Sequence, residues 1–195
     1  MPLICLVRHG QASAAAQDYD ALSGLGRAQA AVVGRELARR GLRDPHIVSG
    51  TLTRQRDTAR LLAQAAGFTR PVREDARWNE YDHQALLARY AKPPQGVRSA
   101  QELIDRALTA WMADTAATDG ESWADFARTP AAALAALTDS LDRGRDAVVV
   151  TSAGPLPRSA ARCCHCLRSR SSRSTAWPST PPSAPWSWAH RGPAS

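Results

Sequence analysis

At 195 residues the chain has the length of one domain with a sizeable core, or of one domain with an appendage. Its formal charge of +7 invites a nucleic-acid partner, but residues 155 to 195 hold six arginines and no acid, which leaves 19 basic and 18 acidic side chains in the first 154 residues, a nearly neutral balance. No apolar run approaches the roughly 18 residues of a membrane span, and the cysteines, Cys5 alone and Cys163, Cys164 and Cys166 crowded together, are not a distributed disulfide framework; the expectation is a cytoplasmic protein with neither nucleic-acid nor membrane partner.

The first element is Leu3-Ile4-Cys5-Leu6-Val7, an apolar run that reads as a buried central strand. It stops at Arg8-His9-Gly10 and so delivers two polar heads to a sheet's carboxyl edge, where open α/β sheets bind ligands. From Gly26 to Gly41, GRAQAAVVGRELARRG sets Ala28, Ala31, Val32 and Leu37 among arginines, the pattern of an amphipathic helix stopped by glycine. His46-Ile47-Val48 is a short strand; Ser49-Gly50 turns the chain into a second helix whose Leu52, Ala59, Leu62 and Ala65 repeat at helical spacing until Gly67. Val72 marks a weak third strand.

Residues 100 to 117 predict a helix with Leu103, Ile104, Ala107, Leu108 and Trp111 inward. Thr129-Pro130 has the form of an N-cap and N1 proline opening AAALAALTDSL. Asp146 to Thr151, DAVVVT, is a buried strand running into Ser152-Ala153-Gly154. Strand and helix alternate throughout, so the fold class is α/β, a three-layer α/β/α arrangement with a mostly parallel sheet. Gly24-Leu25-Gly26 is a poor dinucleotide loop, because no strand precedes it and its third glycine is missing.

Four polar groups fall at strand-to-helix junctions: Arg8-His9-Gly10; Ser49 with Arg54 and Thr58-Ala59; Trp78-Asn79-Glu80; and Thr151 to Gly154. Two arginines beside one imidazole suit a tetrahedral dianion, because guanidinium forks pair with phosphate oxygens and the histidine can attack. LVRHGQAS, the LSxLGxxQA spacing from Leu22 to Ala30, SGTLTRQRDTA and WNE together resemble the histidine phosphatase superfamily, the phosphoglycerate mutase-like group, over residues 3 to 155.

That resemblance implies a phosphatase working through a phosphohistidine on His9, on a small phosphorylated substrate and with no cofactor or metal. Arg8 and Arg54 would clamp the phosphoryl oxygens. Glu80 would be the acid and base, Gly10 would let the backbone approach the phosphate, and Gln11 or Ser49 would hydrogen-bond it. Arg56, two residues beyond Arg54, is read as solvated. The family also implies a second pocket histidine after VVVTS, where this chain has Ala153. That departure keeps open a non-catalytic or defective phospholigand-binding relative, and the uninformative stretch from about residue 81 to 123, where substrate-contacting loops lie, keeps open a mutase-type phosphotransferase.

After Pro155 the periodicity ends. Residues 155 to 195 hold nine serines, seven prolines and three tryptophans, with no Val, Ile, Phe, Tyr or Met. The division expected is a domain over 1 to 155 and an Arg/Ser/Pro-rich tail over 156 to 195, disordered or read in a shifted frame. Trp and Cys codons both begin TG, so one base back each becomes NTG, which encodes only Leu, Val or Met. Cys163, Cys164, Cys166, Trp177, Trp186 and Trp188 would all become aliphatic or Met, a helix and a strand that the domain as written lacks. The RCCHCL cluster is a poor metal site, since adjacent ligands cannot wrap one tetrahedral ion.

Overall fold

The computed structural model describes residues 3–13, 20–91, 99–115, 122–142 and 144–155. Four strands form one parallel sheet in the order β1-β4-β2-β3, with β1 at Ile4–Arg8, β2 at His46–Ser49, β3 at Val72–Glu74 and β4 at Ala147–Thr151. β4 lies between β1 and β2 and all five of its residues are buried, which is why its sequence is continuously apolar rather than alternating. The expectations for residues 156 to 195 lie outside the described residues.

Helices cover both faces, as the three-layer expectation requires. On one, α1 (Gly24–Arg39) and α2 (Thr53–Ala66) bring Leu37, Leu62 and Ala63 onto Ile47, Val148 and Val150. On the other, α5 (Trp123–Ser140) packs Ala133 and Leu134 with Trp78 against Val48 and Val149. A separate cluster of Leu86, Ala107, Trp111 and Phe126 joins α3 (His83–Tyr90), α4 (Ala100–Ala113) and the first turn of α5.

Most ends follow their local chemistry. Ser23 caps α1 by accepting from the Gly26 N–H, and Gly67 closes α2 at φ 71°, a left-handed position suited to glycine. α5 departs from the Thr129-Pro130 start. It begins seven residues earlier, with Ser122 accepting from the Asp125 N–H, and Pro130 lies inside it, fully buried. A proline there costs about 3 kcal/mol, but Phe126 and the flanking Trp123 bury aromatic surface only if the helix starts before it.

Two glycines let the loop after β1 touch the first turn of α1. A Cβ at Gly10 would collide with the Gly26 carbonyl, and a Cβ at Gly26 with the Gln11 main chain. Gly10 is therefore required by Gly26, a different reason from approach to a phosphate. Gly26→Ala is expected to destabilise by at least about 2 kcal/mol, whereas Gly24→Ala, which meets open space, should be neutral or slightly stabilising. Equal melting temperatures for the two variants would contradict this packing.

Candidate active site

β1 ends by placing His9 and Arg8 at the carboxyl edge of the sheet, and the His9 N–H is held by the Thr151 carbonyl at 2.9 Å. His9 Nδ1 lies 2.7 Å from the Gly10 carbonyl oxygen, and Arg54 Nε donates to His9 Nε2 at 3.3 Å. A carbonyl only accepts and a guanidinium only donates, so the proton must be on Nδ1 and the lone pair on Nε2. Burial is the main force lowering the His9 pKa below its usual 6.5; the Arg54 and Arg8 guanidiniums add to it, against the Gly10 carbonyl and Asp20. The ring is neutral at pH 7, with Nε2 available as a nucleophile.

Arg54 is buried on the first turn of α2 and is fixed there by Asp20, which Nη1 reaches at 2.6 Å. The Asp20 carboxylate also accepts from the Thr53 N–H at 2.6 Å and the Arg54 N–H at 3.4 Å. Leu52, the residue at the N-cap of α2, has no side-chain acceptor, so Asp20 caps the helix from a distant loop and complements its dipole. Burial pushes the Asp20 pKa up, but these donors outweigh it and hold the carboxyl below its usual range. Asp20 leaves no pattern in the sequence, because its partners are 33 and 34 positions away.

Thr58 and Gln55 tie the loops together. Thr58 Oγ1 accepts from the Gly10 N–H at 3.0 Å and donates to the Arg54 carbonyl at 2.7 Å. The fully buried Gln55 donates to the Trp78 carbonyl and to Ser152 Oγ, joining the loops after β3 and β4 to α2. Asn79 exchanges hydrogen bonds with Thr51, which sets the loop carrying Glu80 beside the start of α2. Glu80 then accepts from the Gly154 N–H at 3.0 Å through Oε2 and from the Tyr81 N–H at 3.3 Å through Oε1.

The structure thus brings His9, Arg8, Arg54 and Glu80 to one end of the sheet. Gln11 is exposed beside them, and its side chain accepts from the Ser23 hydroxyl at 2.8 Å. Ser49 is not brought to the open face: it is wholly buried at the end of β2, and its hydroxyl has no partner among the described residues. Arg56 is half-buried rather than free in solvent, pairing with Glu74 at 3.7 Å. Ala153 is exposed and carries only a methyl group at the end of β4. Among the described residues no group of three or more His, Cys, Asp or Glu could hold a metal ion, and no helix is long and apolar enough to cross a membrane.

Known structures share this arrangement of chain. A mycobacterial glucosyl-3-phosphoglycerate phosphatase solved with VO3 is 31% identical, with 80% of this chain and 78% of that one aligned at a TM-score of 0.54. Two others show the fold alone: a putative alpha-ribazole-5'-P phosphatase of Escherichia coli (20% identity, 83% and 79% coverage, TM-score 0.56) and the Bombyx mori ecdysone phosphate phosphatase with tungstate (15%, 92% and 83%, 0.57). No curated protein matches the sequence. The model of the histidine phosphatase superfamily (branch 1) matches residues 4–178, a span that starts at β1 and takes in every element described above, and the chain belongs to that superfamily.

Proposed function

We propose that the protein is a phosphoric monoester hydrolase that passes the phosphoryl group through His9. The observation that carries this reading is the fixed tautomer of His9, Nδ1–H on the Gly10 carbonyl and the Nε2 lone pair toward the Arg54 guanidinium. A dianionic monoester entering beside Arg54 and Arg8 takes over the long Nε–H bond to His9, whose loss costs only about 1 kcal/mol. Nε2 then attacks phosphorus as the P–O bond to the leaving group breaks, and Glu80 gives the leaving oxygen its proton. The positive charge that spreads over the imidazole is met at Nδ1 by the Gly10 carbonyl.

In the second half the Glu80 carboxylate takes a proton from water, the water oxygen bonds to phosphorus and the P–N bond breaks. Inorganic phosphate leaves and neutral His9 is regenerated. Asp20 keeps Arg54 aimed through both halves, and the Gly154 and Tyr81 N–H groups hold the Glu80 carboxylate in place. The 31% identity to a glucosyl-3-phosphoglycerate phosphatase supports a small phosphorylated substrate and hydrolysis rather than phosphoryl return to a second acceptor. The opposing reading, a phospholigand-binding relative without turnover, is favoured by the methyl group of Ala153.

Quenched-flow reaction with a ³²P-labelled monoester separates the two. Hydrolysis through His9 gives an acid-labile, alkali-stable phosphoprotein followed by inorganic phosphate; phosphate binding with neither product supports the opposing reading. Activity is also expected to be unchanged in EDTA, since Arg8 and Arg54 supply the positive charge that Mg²⁺ brings to other phosphoryl-transfer sites. Loss in EDTA that Mg²⁺ restores would overturn that part of the mechanism.

A further inference from the structure

Glu80 can act as acid and base only where its carboxyl group meets the leaving oxygen, and a misplacement of about 1 Å can cost about 10²-fold in rate. Its placement depends on two loops. The carboxylate stands on the loop after β3 and is held at 3.0 Å by the Gly154 N–H, on the loop after β4. β3 and β4 are not neighbours in the sheet, so no ladder fixes the distance between their loops.

One carboxamide does. Gln55 is wholly buried on the first turn of α2, next to Arg54, and its Nε2 donates to the Trp78 carbonyl at 3.0 Å and to Ser152 Oγ at 2.9 Å. Trp78 stands two residues before Glu80 and Ser152 two before Gly154, so the carboxamide grips each loop at the same remove from the contact between them. Its orientation is fixed, because the Trp78 carbonyl only accepts and Gln55 Oε1 takes the Leu52 N–H at 3.3 Å. Gly50 leaves room for it: a Cβ there would collide with Gln55 Oε1 and Asn79 Oδ1. Asn79 and Thr51 join the loop after β3 to the chain before α2, and Thr151 Oγ1 donates to the Trp78 carbonyl from β4 at 2.7 Å. Gln55 ties both loops to the helix that carries Arg54.

We propose that Gln55 is a positioning residue that keeps Glu80 in register with Arg54, so that the proton donor and the phosphoryl clamp are held as one body. The assignment rests on the hydrolase reading above. Its loss should be felt by the leaving group rather than by the phosphoryl group, because Arg54 keeps Asp20 and the Gly10 N–H keeps the Thr58 hydroxyl.

The test uses Gln55→Met, close in size but without a donor, beside Ser152→Ala, Glu80→Gln and the Gln55→Met/Glu80→Gln double variant in the full chain. It reads melting temperature, vanadate Kd, and kcat/KM for alkyl and nitrophenyl phosphates. Gln55→Met is expected to lose about 10- to 100-fold in kcat/KM for the alkyl phosphate, whose poor leaving group needs the Glu80 proton. The nitrophenyl ester should lose under about threefold, with vanadate affinity kept. In the Glu80→Gln background, Gln55→Met should cost under about threefold on either ester, because the group it positions is gone. Equal losses on both esters, or an undiminished alkyl loss on top of Glu80→Gln, mark general loosening and overturn the proposal. A folded Gln55→Met protein with wild-type alkyl kcat/KM overturns it too. Should Gln55→Met not fold, Ser152→Ala, which removes one of the two acceptors, decides by the same comparison. If the wild-type chain forms no phosphohistidine, the hydrolase reading fails by itself, and the Gly154 amide resonance then decides the positioning role. That role stands if Gln55→Met moves the resonance toward its position in Glu80→Ala, and falls if the resonance does not move.

Discussion

His9→Ala is expected to reduce hydrolysis of any phosphate monoester by at least about four orders of magnitude, with no phosphoprotein trapped in the quench. Removing the nucleophile of a covalent hydrolase costs on the order of 10⁶-fold in the best-measured cases, and the residual rate comes from the remaining donors. The fold should survive, because among the described residues the His9 side chain bonds to the Gly10 carbonyl and Arg54, while its main-chain bond to Thr151 does not depend on the ring. Arg54 keeps Asp20, so the variant should still bind vanadate. Wild-type turnover in a folded His9→Ala protein would remove His9 as nucleophile and leave only the anion site.

The same residue sets the acid side of the pH profile. In the proposed mechanism only the neutral ring attacks, and burial lowers the pKa of His9 from 6.5, so the acid limb of kcat/KM is expected below pH 6.5. A histidine whose folded-state pKa is depressed binds fewer protons folded than unfolded, so its contribution to stability is present above about 6.5 and is lost as pH falls toward the folded-state value. Activity and stability should both decline on acidification. A profile already falling at pH 7 would contradict the neutral resting state.

What the sequence makes legible here is whatever lies next to a strand. β4 is an apolar run and is wholly buried, whereas β1, read as a buried central strand, lies at the edge of the described sheet and is half-buried. Arg8 ends β1, His9 follows it, and Arg54 and Glu80 come within about a turn of the ends of β2 and β3, which is what makes them readable. The residues that aim them are not. Asp20 caps α2 across 33 positions and Gln55 reaches Ser152 across 97, and no periodicity records a hydrogen bond of that span. Ser49 shows the opposite error: polar and at a strand end, it is sealed beneath the site instead of facing it. Local proline chemistry puts the start of α5 at Pro130, but the aromatic cluster of Trp111, Trp123 and Phe126, whose members come from two helices and meet only in three dimensions, sets it at Trp123.

β1 raises the remaining question, because its sequence is as apolar as that of β4 and its environment is not. Val148 to Val150 are wholly buried, whereas Ile4, Cys5, Leu6 and Val7 are each half-buried. Among the described residues β1 pairs with β4 alone. A cleft of about 730 Å³ runs from His9 and Arg8 along β1, lined there by Val7, Ala30 and Val33. Leu3 is 51% exposed and Val32, on α1, 56%. Re-reading the coding sequence one base back after Gly154 replaces the cysteines and tryptophans there by aliphatic residues or Met, and Ser187 in a TCN codon by Phe, Leu, Ile or Val. An apolar strand of that composition is what the free edge of β1 would accept. Full burial of an aliphatic side chain is worth about 1.5 to 3 kcal/mol, so completing the burial of the three half-buried ones, Ile4, Leu6 and Val7, adds roughly 2 to 5 kcal/mol, a large share of a typical 5 to 15 kcal/mol. For a domain of this size that corresponds to a rise of about 10 °C in Tm. The re-read chain is expected to melt higher by that amount and to protect the β1 amides from hydrogen exchange. An unchanged Tm, or coding DNA with no open alternative frame past Gly154, would sink the idea.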